Sequence, residues 1–167
     1  MTQFHAQPYD IDADGFYFET AEEYTTKAEA NRNRHGDPVE EYMIQFIDGD
    51  GIDAELAKAA GLYQNTIEDF IDACDEWDDH QKTMAIINMD ELGGDFEPDM
   101  DPQNYDIDVY HVDSMTDLAD MFIEEGMLGD IPDHLQFYID VEKYAHDLSM
   151  DYSETTIGGT NIIWRAA

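Results

Sequence analysis

The chain has 167 residues, with 41 Asp or Glu against 7 Lys or Arg, a formal net charge of -34 and a pI near 4.1. A disordered acidic tail is excluded, because 43% of the residues are hydrophobic and 12% aromatic, enough to build a core. Direct binding to nucleic acid or to a membrane surface is excluded by the same balance: both are anionic, and Arg32, Arg34 and His35 are the nearest approach to a basic cluster.

The first 50 residues read as strand, helix, strand. Phe16-Tyr17-Phe18 is a short aromatic strand. Glu19 to Asn33 holds helix formers, with acids in its first turn where the helix dipole favours them. Gly36, Asp37 and Pro38 stop it. Val39 to Asp48 alternates, with Tyr42, Ile44 and Phe46 on one side, as in a half-buried strand. Asp48 to Gly51 is a turn.

The middle reads as helical and acidic. Ile52 to Ala60 is a short helix ended by Gly61. A second is capped by Asn65, with Glu68 three residues on, and buries Ile67, Phe70, Ile71, Cys74 and Trp77 at helical spacing. Asp69, Asp72, Asp75, Glu76, Asp78 and Asp79 occupy its remaining circumference. A third helix runs from Gln81 to Leu92. Gly93 to Asn104, with two Gly, two Pro and several acids, reads as a linker.

The last third reads as α+β. Tyr105 to Val112 alternates as a strand. Ser114 caps a helix, with Asp117 at the capping-box position and Leu118, Met121 and Phe122 on one face; Gly126 closes it. A loop from Met127 to Pro132 leads to a turn around His134. Asp140 starts another helix, with Tyr144, Ala145 and Leu148 inward. Tyr152 to Arg165 forms a hairpin about Gly158-Gly159. The expected fold class is therefore α+β, with an α+β module over 1–50, a helical acidic module over 51–103 and an α+β module over 104–167; the length permits one ordinary domain or two or three small modules.

Discrete chemistry is poorly supported. Asp10-Ile-Asp12-Ala-Asp14-Gly15 opens like a calcium-binding loop, but position twelve is Ala21 where a bidentate Glu belongs. Asp48, Asp50 and Asp53 fit that pattern less well. Asp75, Asp78, Asp79 and His80 could ligate a metal, yet such coincidences are expected among 41 acids. The six His are scattered. Ser114, Ser149 and Ser153 lie in no nucleophile elbow. Cys74, on an apolar helix face among acids, suits the core rather than catalysis. No catalytic residue, metal or cofactor is expected. The single cysteine fits a reducing cytoplasm. The N-terminus lacks the features of a signal peptide.

Charge is the feature with functional content. Duplex DNA carries one charge per ~1.7 Å of axis, so about 34 charges at that spacing cover roughly 58 Å. Helix-face carboxylates recur every ~5–6 Å, close enough to engage the Lys and Arg that read phosphates. Two alternatives keep a place: a solvated halophile surface, since Asp exceeds Glu and Lys is scarce, and a calcium-binding module.

The segments Ser114-Met-Thr-Asp-Leu-Ala-Asp-Met-Phe-Ile-Glu-Glu-Gly126, Leu128-Gly-Asp-Ile-Pro-Asp-His-Leu135 and Tyr138-Ile-Asp-Val-Glu-Lys-Tyr-Ala-His-Asp-Leu148 resemble the C-terminal part of the ArdA antirestriction proteins. Glu40-Glu41-Tyr42 and the strand after it resemble the family's first module more loosely. The resemblance implies an elongated array of three small modules that mimics DNA, homodimeric, cytoplasmic in a bacterial host and carried on mobile elements. It implies occupation of the DNA-binding groove of type I restriction-modification enzymes. The family's antirestriction motif would fall near Met127 to Asp140, beside the dimer-forming part. The expected partner-binding carboxylates are Asp69, Asp72, Asp75, Glu76, Asp78 and Asp79 in the middle, and Asp117, Asp120, Glu124, Glu125, Asp130, Asp133, Asp140 and Glu142 in the last module, each standing in for a phosphate.

Overall fold

The computed structural model describes residues 2–167. The fold is α+β, as expected, with seven α-helices and two three-stranded antiparallel sheets among the described residues. The chain forms two compact units, residues 1–105 and 106–167.

The first unit is built on a sheet of β1 (Gln3–Pro8), β2 (Phe16–Phe18) and β3 (Tyr42–Asp48) in the order β2-β1-β3. The central strand, β1, was not foreseen. Its inward residues are Phe4, Ala6 and Pro8, and the polar Gln3, His5 and Gln7 alternate with them. Phe4 is fully buried, stacks on Phe18 at 5.3 Å and meets Phe46 edge-on at 5.9 Å. Helix α1 (Ala21–Ala30) follows β2. The Thr20 hydroxyl caps it by accepting from Glu23 N–H, and Tyr24 packs on Phe18 at 5.0 Å. The helix is shorter than expected at both ends, because Thr20 is its cap and Asn31 is already extended.

Helices α2 (Gly51–Ala60), α3 (Ile67–Glu76) and α4 (Asp79–Asp90) complete this unit. Phe70 of α3 meets Phe4 edge-on at 6.0 Å, so sheet and helices share one core. The Gln64 side chain ties them further: its Oε1 accepts from Tyr42 N–H at 2.7 Å. Helix α3 buries Ile67, Phe70, Ile71 and Cys74 as the spacing predicts and Ala73 besides, while Trp77, expected on the same face, is its half-buried C-cap. Its cap is Thr66 rather than Asn65, with no side-chain capping bond. Helix α4 begins two residues before the expected Gln81. Asp78 and Gln81 form a reciprocal capping box: Gln81 N–H donates to Asp78 Oδ1 at 2.8 Å, and Asp78 N–H donates to Gln81 Oε1 at 2.9 Å.

The expected linker is partly tied down. Phe96 lies against Phe70 at 5.9 Å and Trp77 at 6.2 Å, and a 3₁₀ turn over Pro102–Asn104 buries Pro102. Gly and Pro in this stretch shape turns that lead apolar anchors back onto the helices.

The second unit has a sheet of β4 (Ile107–Tyr110), β5 (Ser153–Ile157) and β6 (Thr160–Ala166) in the order β4-β6-β5. Gly158 and Gly159, at φ 57° and 80°, make the two-residue turn between β5 and β6 that L side chains resist. Helices α5 (Met115–Glu124), α6 (Asp133–Gln136) and α7 (Val141–Leu148) stand where the sequence predicts helix or turn. Leu118 and Phe122 of α5 form a buried cluster with Tyr152 and Ile163, flanked by Tyr110, Tyr144 and Leu148. Arg165 spans this sheet, pairing with Asp108 at 2.6 Å while its guanidinium lies 4.9 Å from the Tyr152 ring centre. No described helix is long and apolar enough to cross a membrane.

Candidate functional site: exposed carboxylates on the helices

Of the fourteen carboxylates singled out, thirteen are exposed and Asp69 is half-buried. Glu68, Asp69, Asp72, Asp75, Glu76, Asp78 and Asp79 recur along α3 and into the start of α4 with no Lys or Arg between them. On α3, residues three and four apart share a face, so Asp72 neighbours Asp69, Asp75 and Glu76. Asp117, Asp120 and Glu124 repeat that spacing on α5.

Six of the seven Lys and Arg are engaged elsewhere. Lys27 pairs with Glu23, Arg34 with Asp12, Lys58 with Glu55, Lys82 with Asp53 and Arg165 with Asp108. None of these acids is among the fourteen. Arg32 donates to the carbonyls of Glu29 and Asn31.

Position on the helices divides eleven of the fourteen. Asp69, Asp79, Asp117, Asp133 and Glu142 lie in first turns, where a negative charge stabilises the helix. Asp78 and Asp140 are N-caps, Asp140 accepting from Lys143 N–H at 3.1 Å. Asp117 also accepts a 2.6 Å bond from the Ser114 hydroxyl. These residues have work in the fold. Asp78→Ala should therefore lower stability by about 1 kcal/mol, whereas Asp78→Asn should keep most of it, in urea unfolding followed by circular dichroism.

Asp75 and Glu76 lie in the last turn of α3, Glu124 ends α5 and Glu125 is its C-cap. The helix dipole disfavours a carboxylate there by about 0.3–1 kcal/mol each. Neither helix has a basic residue in its last turn to offset this. Folding does not account for these acids. Asp90 and the C-cap Glu91 of α4, not singled out from sequence, are exposed and lie in the same unfavourable place. Their signal was available: two acids separated from Gly93-Gly94 only by Leu92.

The discrete-site candidates resolve into local structure. Asp10 accepts from Asn33 Nδ2 and Asp12 N–H, each at 2.9 Å, and these bonds, Asn33's first, hold its carboxyl below the usual value. Asp12 faces Arg34 at 2.9 Å and His35 at 3.4 Å. Asp53, the weaker calcium-loop candidate, is 4% exposed and pairs with Lys82 Nζ at 2.7 Å. That ammonium also donates to the Cys74 carbonyl at 2.8 Å. The buried Cys74 thiol is pushed up to about 12, by burial first and the charge of Asp53 next.

The segment after α5 carries a different surface. Met127, Leu128, Leu135, Phe137 and Tyr138 are all exposed, Phe137 at 92%.

The family whose model matches the chain is described as antirestriction protein (ArdA), and the match covers residues 10–161. No curated protein matches the chain. The match includes β2 to β5, the acidic helices and the exposed apolar segment, and the chain belongs to the ArdA family of antirestriction proteins.

Proposed function

We propose that this chain inhibits type I restriction-modification enzymes by filling their DNA-binding groove, with carboxylates presented in place of phosphates. One observation carries the proposal: acids stand at helix C-termini, where they oppose folding, while five of the chain's seven Lys and Arg pair with acids outside the fourteen. A surface selected for its field explains that placement; solubility alone would be served by acids at the first turns. The partner's Lys and Arg would meet many screened carboxylates, each worth little, and release counterions as they do on DNA. The division of the first unit into modules over 1–50 and 51–103, the last module over 104–167, and action in the bacterial cytoplasm belong to the same proposal.

The proposal includes a homodimer. Apolar residues as exposed as Met127, Leu128, Phe137 and Tyr138 mark a contact surface. Phe137→Ser should shift the protein from dimer to monomer in sedimentation equilibrium with the fold retained. A wild-type chain that is monomeric throughout the micromolar range would remove the dimer.

The functional test is direct. Purified protein, added to a type I enzyme with ATP and an unmodified plasmid, should block cleavage in proportion to its concentration. Undiminished cleavage at a large excess over several type I enzymes would refute the proposal.

A further inference from the structure

Between α3 and the segment after α4 lies an open groove of ≈ 240 Å³, lined by Asp69, Asp72 and Glu76 from the helix, Trp77 and Phe96 as its rings, and Asp99 opposite. The rings are 6.2 Å apart at 51°, and Phe96 is braced from behind by Phe70. Carboxylates thus arrive from two separate elements around a pair of half-buried aromatics. A planar cation fits this chemistry. A guanidinium can lie against an aromatic ring and donate in-plane to carboxylates at its edge; an ammonium offers only a point charge.

We infer that this groove receives one arginine side chain of the partner protein, making it a discrete anchor within the otherwise diffuse acidic surface. The inference rests on the proposed mimicry, which supplies a partner rich in phosphate-reading Arg. It differs in what it expects of single residues. Acids spread over the helices are interchangeable, whereas Trp77 and Asp99 are not.

The test needs no restriction enzyme. The full chain is titrated with N-acetyl-arginine amide at low salt while the indole resonances of Trp77 and Trp164 are followed by NMR. The Trp77 signal should shift saturably and the Trp164 signal should not. N-acetyl-lysine amide should bind about tenfold more weakly, and Asp69→Asn with Asp99→Asn should weaken arginine about tenfold. No saturation throughout the millimolar range would overturn the inference. So would equal responses to the lysine compound or to sodium chloride at matched ionic strength, or tighter saturation by calcium. Any of these would leave the mimicry standing, since cleavage inhibition is measured separately; failed inhibition beside a saturable arginine shift would do the reverse.

Discussion

Neutralising Asp72, Asp75 and Glu76 on α3 together with Glu124 and Glu125 at the end of α5, as Asn or Gln, is expected to weaken inhibition of a type I enzyme by roughly 60-fold. The figure takes about 0.5 kcal/mol for each screened carboxylate–cation contact, summed to about 2.5 kcal/mol over the set. Any one of the five replaced alone should change inhibition only about twofold. The same variant should be at least as stable as the parent. Four of the five replacements remove a charge from a helix C-terminus, where each is worth about 0.3–1 kcal/mol against folding. They also reduce the self-repulsion of a chain at -34. Function lost while stability is held or raised is the signature of acids kept for a partner. A loss of both would mean that these carboxylates serve the fold. A single replacement that abolished inhibition would argue for a discrete site instead.

Lys82→Met is expected to produce the largest loss of stability of any single change in the first unit. Lys82 is 6% exposed and joins three helices: it lies on α4, pairs with Asp53 on α2 and donates to the Cys74 carbonyl on α3. Removing it leaves the Asp53 carboxylate buried without its cation. Stranding one member of such a pair costs about 3–5 kcal/mol. Replacing both members by apolar side chains of similar volume, Lys82→Met with Asp53→Leu, should recover most of that loss, because the desolvation of two charges disappears along with their attraction. Urea unfolding checks this, and Trp77 reports on the first unit while Trp164 reports on the second. The Trp164 transition should barely move. A double variant no more stable than Lys82→Met alone would show that the alkyl packing of Lys82, and not the ion pair, holds the helices.

What the sequence made legible follows from how local each signal is. The hairpin around Gly158-Gly159, the Ser114 cap and the buried stripe of α3 are short-range patterns, and each appears where the spacing places it. β1 was hidden because Pro8 and a lone Phe4 make a weak strand signal; what holds it is pairing on both sides, to β2 and β3. The segment from Gly93 to Asn104 read as a linker because its composition is that of turns, while its attachment through Phe96 and Pro102 is a tertiary matter. Lys82 and Asp53 gave no sign of burial, since charged residues are rarely buried unless paired, and their pairing spans 29 positions of sequence. At the candidate site the acidity was plain from composition. Which acids cap helices and which oppose them became visible only with the helix ends, as at Asp78 against Asp75.

Competition with DNA tests the central claim most directly. A labelled duplex bearing its recognition sequence is bound to the methyltransferase core of a type I enzyme, and this protein is titrated in at a series of salt concentrations. The account predicts complete displacement at low salt, with an affinity that falls linearly in log–log form as salt rises, as it does for DNA itself. Failure to displace the duplex at low salt, or displacement indifferent to salt, would contradict it.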